Sequence, residues 1–350
     1  MPVVWCFKKP KPILLIGLAY CHKGFIETNM KSIIDSIKPV IEKSKFVHIN
    51  KQAILDFSKG VSREEFDNSE FGPETILSKT ATEEEQIALA FVYNSINFCY
   101  WGEPKWTVKI NGNFYDGSSG MLRAVKNAIE NDFDLLNPKY LENLSEKDLA
   151  KILEGNIEIP LFKERLALLR ELGKNLLEKY DGVFKNVVER ANGNAVRIVE
   201  LLVKDFPKIF NDVANYEGQE VKFYKRAQLV PAHLFDLSKF GLISIPLSGY
   251  DELTAFADYK VPQLLRKFGI LEYTSDLANK IDNKIEILAG SDEEIEIRAN
   301  TIWAIELATK ILREKFPQAN AAKVDRIFWF KGQVKSPNDK PYHRTKTIWY

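Results

Sequence analysis

The spacing of apolar residues predicts three short extended segments in the first third of the chain and mainly helices after them. Residues 31–59 mix a helical pattern with a short strand at 46–49, and residues 84–93 return to helical spacing. Residues 106–110 and 113–115 alternate around Asn111-Gly112, which predicts a β-hairpin with a two-residue turn. Helices are then predicted over residues 119–131, 160–180, 184–190, 195–206, 263–268, 275–281, 294–316 and 319–330.

Local signals set the expected helix boundaries. Ser145 is predicted to cap a helix, Asp181-Gly182 to end the one that Pro160 opens, and Pro262 to start the short helix that follows it. The elements together predict a predominantly helical α+β protein. A small N-terminal region over residues 30–117, which contains the hairpin, is expected to pack on a helical body over residues 118–350.

The first 29 residues are interpreted separately. Three lysines precede the apolar run 13–20, as in a signal peptide, but the run is only eight residues long and no cleavage site follows it. We therefore expect residues 1–29 to be an extension outside the functional fold, with Met30 as the start. The protein shortened to begin at Met30 is expected to fold and stay active.

Charge and composition narrow the function. The 49 Lys and Arg residues nearly balance the 48 Asp and Glu residues, so the net charge is +1. A duplex nucleic acid is therefore a poor candidate partner, whereas a small anionic ligand fits one basic pocket. No apolar run reaches the ~18 residues of a membrane span.

Cysteine and histidine usage predicts neither disulfides nor metal. Three cysteines and four histidines stand at unrelated spacings, which fits a cytoplasmic protein without a zinc site. The chain also has no nucleotide-triphosphate, dinucleotide, serine-hydrolase or zinc-hydrolase motif. We expect no metal and no organic cofactor.

Asp258 is the first candidate for chemistry. It stands between Phe256 and Tyr259, just before the helix expected at Pro262. A carboxylate beside aromatic rings can stabilise positive charge that develops on a stacked substrate. The alternative is a structural aspartate that caps the following helix.

Two cations follow Phe223-Tyr224. Lys225 and Arg226 are adjacent, so neither a helix nor a strand directs both to one side, and one of them is expected to face a pocket. Either side chain can bind phosphate. The alternative is a solvated pair.

Acidic and aromatic residues meet again near the end of the chain. Asp325 precedes several aromatic residues and is expected to be partly buried with a partner, either at a binding site or in an ion pair with Arg326 or another arginine. The aromatic C-terminal tract 341–350 is expected to dock on the body. Within it, His343 and Arg344 either line a phosphate site or anchor the tract.

Six sequence blocks, in order, resemble the queuosine salvage protein family, whose members are queuosine 5′-phosphate N-glycosylases. The resemblance covers nearly all of residues 32–350. The blocks are NFCYWGEPKWTVKINGNFYDG, IEIPLFKERLALLRELGKNLLEKYDGVF, FYKRAQL, LTAFADYKVPQLLRKFGILEY, EIEIRANTIWAIEL and PYHRTKTIWY.

The resemblance implies a fold, a substrate and a site. The helical body should resemble the helix-hairpin-helix DNA glycosylases. The substrate should be queuosine 5′-phosphate, and the products queuine and ribose 5-phosphate. Asp258 matches the catalytic carboxylate, Phe256 and Asp325 match residues at the base site, and Lys225 matches a lysine near the sugar phosphate. We add Tyr259, which follows Asp258, to the expected binding residues.

Two departures from the family pattern concern the base site. The family has an Asp-Tyr pair and a second Asp five residues after the first. This chain keeps the first Asp as Asp325, but it has Arg326 in place of the Tyr and Phe330 in place of the second Asp. A family histidine has no clear counterpart, and ungapped alignment places Thr75 near it. We expect Arg326 and Phe330 to contact the base in place of polar groups and so to weaken discrimination between related bases.

Two alternatives stay open. One is a glycosylase of the same fold that acts on another modified nucleotide. The other is a non-catalytic nucleobase- or tRNA-binding protein. An Asp258 that faces an open cavity favours an enzyme, whereas a filled cavity favours the binding protein. The oligomeric state is left open.

Overall fold

The computed structural model describes residues 30–69, 75–78, 80–334, 336 and 339–350, so the extension expected at 1–29 lies outside the described residues. The described part is predominantly helical, as predicted. Its helices are α1 Met30–Lys43, α2 Lys51–Gly60, α3 Arg63–Asp67, α4 Glu83–Ser95, α5 Gly117–Glu130, α6 Pro138–Glu142, α7 Glu146–Ile152, α8 Phe162–Tyr180, α9 Lys185–Arg190, α10 Ala195–Asp205, α11 Pro207–Phe210, α12 Lys225–Lys239, α13 Lys260–Lys267, α14 Ser275–Asp282, α15 Asp292–Lys315 and α16 Ala321–Lys331.

The described strands form three antiparallel pairs. They are β1 Val47–Ile49, β2 Thr107–Ile110, β3 Asn113–Asp116, β4 Val213–Tyr216, β5 Gln219–Lys222 and β6 Leu271–Tyr273. Strands β2 and β3 form the predicted hairpin, with φ of 48° at Asn111 and 83° at Gly112. Both central residues of such a turn need positive φ, which the Asn-Gly signal supplies. Strands β4 and β5 form a second hairpin that was not predicted, because Glu217-Gly218 is a weaker signal.

Helix boundaries follow the local signals closely. The Ser145 side chain accepts a hydrogen bond from the Asp148 amide, and Asp181 ends α8 with a φ of 56°. Helix α13 begins at Lys260, two residues before Pro262. Helix α12 was not predicted as a helix, since Pro231 lies inside it and polar residues are buried on it.

Long-range packing joins the start of the chain to its end. Strand β1 pairs with β6, and α1 and α2 pack against α15. Helix α4 packs against α12 and α8. The boundary expected near Gly117 coincides with the junction of β3 and α5, and the division into two domains stays a prediction.

Helix α15 lies at the centre of this packing. It buries not only apolar residues but also Glu294, Glu296 and Arg298 on its first two turns. Buried charges of this kind need partners nearby. In the described part of the chain, no helix combines the length and the apolar character that crossing a membrane requires.

The crossing of α6 and α8 depends on a glycine. A Cβ at Gly173 would lie 2.4 Å from the Pro138 carbonyl oxygen and 2.5 Å from the Glu142 nitrogen. We predict that Gly173→Ala lowers stability by ~1–3 kcal/mol, although alanine is the better helix former. Urea unfolding checks this. The control is Gly60→Ala in α2, where a Cβ has nothing within 4 Å, and equal stability of both variants would contradict the prediction.

Candidate active site

A cavity of about 210 Å³ lies between α4, the β2–β3 hairpin, α5, α12, α13 and α16. It brings together six residues that the sequence singled out. These are Lys225, Phe256, Asp258, Tyr259, Asp325 and Arg326.

Asp258 both caps a helix and faces the cavity. Its Oδ1 accepts hydrogen bonds from the Lys260 amide at 2.7 Å and the Val261 amide at 3.0 Å, at the start of α13. Its Oδ2 makes no hydrogen bond to any residue that the structure describes. Asp258 therefore satisfies two amides at the start of α13, as the capping alternative expects, and these hydrogen bonds hold the carboxylate in place.

Asp325 lies on α16 at the same cavity. Its Oδ1 accepts a hydrogen bond of 3.0 Å from the Phe256 amide. Burial raises the pKa of Asp325 well above its usual value, and the nearby Asp258 carboxylate raises it further. Arg326, one of the arginines considered as an alternative ion-pair partner of Asp325, binds both carboxylate oxygens of Asp236 with its guanidinium, at 2.7 and 2.8 Å.

Lys225 and Arg226 point in different directions, as expected for adjacent residues. Lys225 is only 6% exposed and lines the cavity. Its ammonium makes no hydrogen bond or ion pair with the described residues, and burial lowers its pKa although Asp258 attracts it. Arg226 turns away and donates to the carbonyl oxygens of Ser95 and Ile209. The solvated pair is therefore wrong, because both side chains are buried.

The residues around Lys225 fix its place. Tyr224 has a φ of 50° and is the N-cap residue directly before α12. Gln228 donates to the Thr254 hydroxyl at 3.0 Å and accepts from the Thr254 amide at 2.9 Å. Helix α12 is thereby tied to the segment that carries Asp258.

Aromatic rings form much of the cavity wall, and most of them were missed from the sequence. They include Tyr93, Tyr100, Trp329 and Tyr342. They come from two regions of the chain that are far apart in sequence, so no local signal connects the two sets. Trp329 follows Asp325 by four residues, which places both on one face of α16, and this spacing could have identified it.

The first turn of α5 also lines the cavity and was missed. Gly117, Ser118 and Ser119 contribute to the wall, and the side chain of Asp116 does not cap this helix. A helix N-terminus of this kind favours an anion. The Asp-Gly-Ser-Ser sequence, which begins at the last residue of the hairpin, was the available signal.

Three residues assigned to the site lie elsewhere in the described structure. Phe330 is half-buried and packs against Trp329, because five residues of helix turn it away from the face that carries Asp325. His343 is buried, with its Nε2 at 3.2 Å from the Tyr350 hydroxyl, and burial lowers its pKa to about 3. Arg344 pairs with Glu103 at 2.6 Å. None of the three lines the cavity, and the contacts of the last two fit an anchoring role.

The position expected for a family histidine is also off the cavity wall. The Thr75 carbonyl oxygen lies 2.9 Å from Nε2 of His233, a buried residue of α12. Among the described residues, no group of three or more His, Cys, Asp or Glu side chains could hold a metal ion.

We predict that Asp325 lowers stability as pH rises. The folded protein holds the Asp325 proton more tightly than the unfolded chain, whose aspartates titrate near pH ~3.9. Stability is therefore lost as pH rises from that value through the raised pKa. Asp325→Asn should raise the melting temperature by a few degrees at pH 8, and the gain should shrink towards pH 4. Thermal unfolding of both proteins across this range checks the prediction, and a gain that is the same at every pH would contradict it.

Comparison with known proteins gives the family. The family model described as queuosine salvage protein matches residues 77–350. A queuosine 5′-phosphate N-glycosylase/hydrolase of Sphaerobacter thermophilus is 37% identical over 324 residues, which cover 91% of this chain and 97% of that protein. Proteins of the same name from Mus musculus and Nematostella vectensis are 30% and 33% identical over 78% and 74% of the chain, or 85% and 80% of their own. The chain therefore belongs to the queuosine salvage protein family.

Proposed function

We propose that this protein hydrolyses the N-glycosidic bond of queuosine 5′-phosphate and releases queuine and ribose 5-phosphate for queuine salvage. The observation that carries the proposal is the position of the Asp258 carboxylate. One of its oxygens accepts hydrogen bonds from the start of α13, and the residue lines a cavity with aromatic walls. Family membership and the names of the relatives support the substrate.

Asp258 acts on the sugar. As the bond between C1′ and the base nitrogen lengthens, positive charge develops on the ribose, and the carboxylate stabilises that charge. Water then bonds to C1′ and gives a proton to Asp258, while the electron pair of the broken bond leaves with the base. The base takes up a proton from solvent and becomes neutral queuine, and Asp258 returns its proton to solvent. Queuine is a 7-deazaguanine, so the ring position that purine glycosidases often protonate is a carbon, and the leaving base must be assisted elsewhere.

The base lies against Phe256, Tyr259 and Asp325. The aromatic rings offer stacking surfaces, and the Asp325 carboxyl offers a hydrogen-bonding group. Queuine carries an amine on its cyclopentenediol arm. A cationic amine beside Asp325 would favour the ionised carboxylate and offset the effect of burial. Arg326, although at the wall, is neutralised by Asp236 and repels this amine less than an unpaired arginine would.

The phosphate lies near Lys225. A buried ammonium without a partner among the described residues is costly, and an anionic ligand would offset that cost. The first turn of α5 lines the same cavity and favours an anion as well. The nucleotide should therefore be a better substrate than the nucleoside.

Three further parts of the proposal rest on the family resemblance and on composition. The helical body adopts the arrangement of the helix-hairpin-helix DNA glycosylases. The protein works in the cytoplasm, and its substrate is a free nucleotide rather than duplex nucleic acid. The non-catalytic alternative predicts a filled cavity or an outward-facing Asp258, and the open cavity beside Asp258 favours an enzyme.

Asp258→Asn tests the catalytic role. The amide keeps the size and the α13 cap but removes the negative charge, so turnover should fall about a hundredfold or more while the melting temperature changes little. Chromatography of released queuine measures it. The matched control is Asp251→Asn, an exposed position outside the cavity wall. A folded Asp258→Asn protein with normal turnover would remove Asp258 from the mechanism.

Lys225→Ala tests the phosphate site. The wild-type protein should have a higher kcat/KM for queuosine 5′-phosphate than for queuosine, because remote binding energy is used at the sugar. The variant should lose about tenfold or more of this preference. Lys222→Ala, three residues earlier and outside the cavity wall, should keep it. Equal efficiency of the wild-type protein on both substrates would exclude a phosphate site at Lys225.

A further inference from the structure

We propose that Arg298 is a positioning residue that sets the geometry of both Lys225 and Asp258. The inference rests on the proposed function. Arg298 is 2% exposed and does not line the cavity, so it acts on the site only through its neighbours.

The first connection runs through Asp212 to Lys225. The guanidinium donates to both carboxylate oxygens of Asp212, Nη1 to Oδ1 at 3.0 Å and Nη2 to Oδ2 at 2.6 Å. Oδ2 of Asp212 also accepts from the Lys225 amide at 3.3 Å, and the Asp212 carbonyl oxygen accepts from the amides of Phe223 at 3.0 Å and Tyr224 at 3.3 Å. Asp212 thus holds the chain where α12 begins, and Arg298 holds Asp212.

The second connection runs through a backbone carbonyl to Asp258. Nε of Arg298 donates to the Ala257 carbonyl oxygen at 3.4 Å. Ala257 lies directly before Asp258 and directly after Phe256, so this bond fixes the peptide that joins the carboxylate to the base site. One planar guanidinium therefore reaches both segments from different edges, which a lysine ammonium cannot do.

The guanidinium has little freedom to move. It lies over the Phe223 ring, 3.8 Å from the centroid, and over the Tyr350 ring at 4.6 Å. Its Nη1 is also 3.5 Å from Oε1 of Glu294. Rings and carboxylates thus fix the plane of the fork, which keeps the distance between Lys225 and Asp258 constant when a substrate enters.

Arg298→Lys keeps the positive charge but loses the planar guanidinium that donates to both Asp212 and Ala257, so it tests the proposal. We expect kcat on queuosine, which has no phosphate, to fall about tenfold or more, because a shift of ~1 Å at the reacting centre can cost about a hundredfold. We also expect a smaller preference for the nucleotide. In the Lys225→Ala background, Arg298→Lys should cause no further loss of that preference.

Two comparisons separate positioning from stability. Tyr180→Phe removes a partly buried hydrogen bond of 2.7 Å to Asp205, away from the cavity wall, and should lower the melting temperature without either kinetic change. Asp212→Asn keeps the size of the side chain, weakens its pairing with Arg298 and should reproduce both kinetic changes. If Arg298→Lys does not fold, Asp212→Asn alone tests the proposal.

The outcomes distinguish this inference from the proposed function. A wild-type protein that releases no queuine overturns both. An active wild type with folded Arg298→Lys and Asp212→Asn variants of unchanged kcat and unchanged nucleotide preference overturns the inference alone. Failure of both variants to fold also overturns it, because the ion pair would then serve the stability of the body.

Discussion

The buried ion pair between Arg298 and Asp212 joins the segments that carry Lys225 and Asp258. Each of the two side chains is 2% exposed. Burial alone would lower the pKa of Arg298, but attraction to Asp212 and Glu294 raises it above the usual arginine value. Removing one partner of such a pair typically costs ~3–5 kcal/mol, since the other charge stays buried and unpaired. Loss of one partner is therefore costly, whereas replacement of a whole buried pair by apolar residues of similar volume is often neutral.

The ionisable groups in the cavity lower the stability of the folded protein. The cavity wall includes the carboxyl groups of Asp258 and Asp325 and the Lys225 ammonium, which has no ion-pair partner among the described residues. Burial raises the pKa of Asp325 and lowers that of Lys225. In both cases burial disfavours the charged form, which a ligand group of opposite charge would favour. A nucleotide with a cationic arm and an anionic phosphate supplies partners of both signs. Such partners would offset the cost of burying these groups.

Local signals explain what could be predicted from the sequence. The Asn111-Gly112 turn and the Ser145 cap depend on neighbours within four residues, and both were placed correctly. The opposed directions of Lys225 and Arg226 followed from backbone geometry alone. Helix α12 was not predicted from the sequence, because a proline such as Pro231 ordinarily indicates the end of a helix.

The remaining parts of the site depend on distant contacts. Arg298 and Asp212 are 86 positions apart, and no spacing rule connects them. The family pattern predicted that Phe330 contacts the base. Phe330 instead lies on a different face of α16 from Asp325. His343 and Arg344 looked like phosphate ligands because they are cationic residue types, but burial and Glu103 fix them elsewhere.

Hydrolysis of queuosine 5′-phosphate in water enriched in ¹⁸O tests the central claim most directly. If water guided by Asp258 attacks C1′, mass spectrometry will find one heavy oxygen in ribose 5-phosphate and none in queuine. Samples must be quenched early, before exchange of the free sugar. Release of no queuine, or a heavy oxygen in the base, would contradict the account.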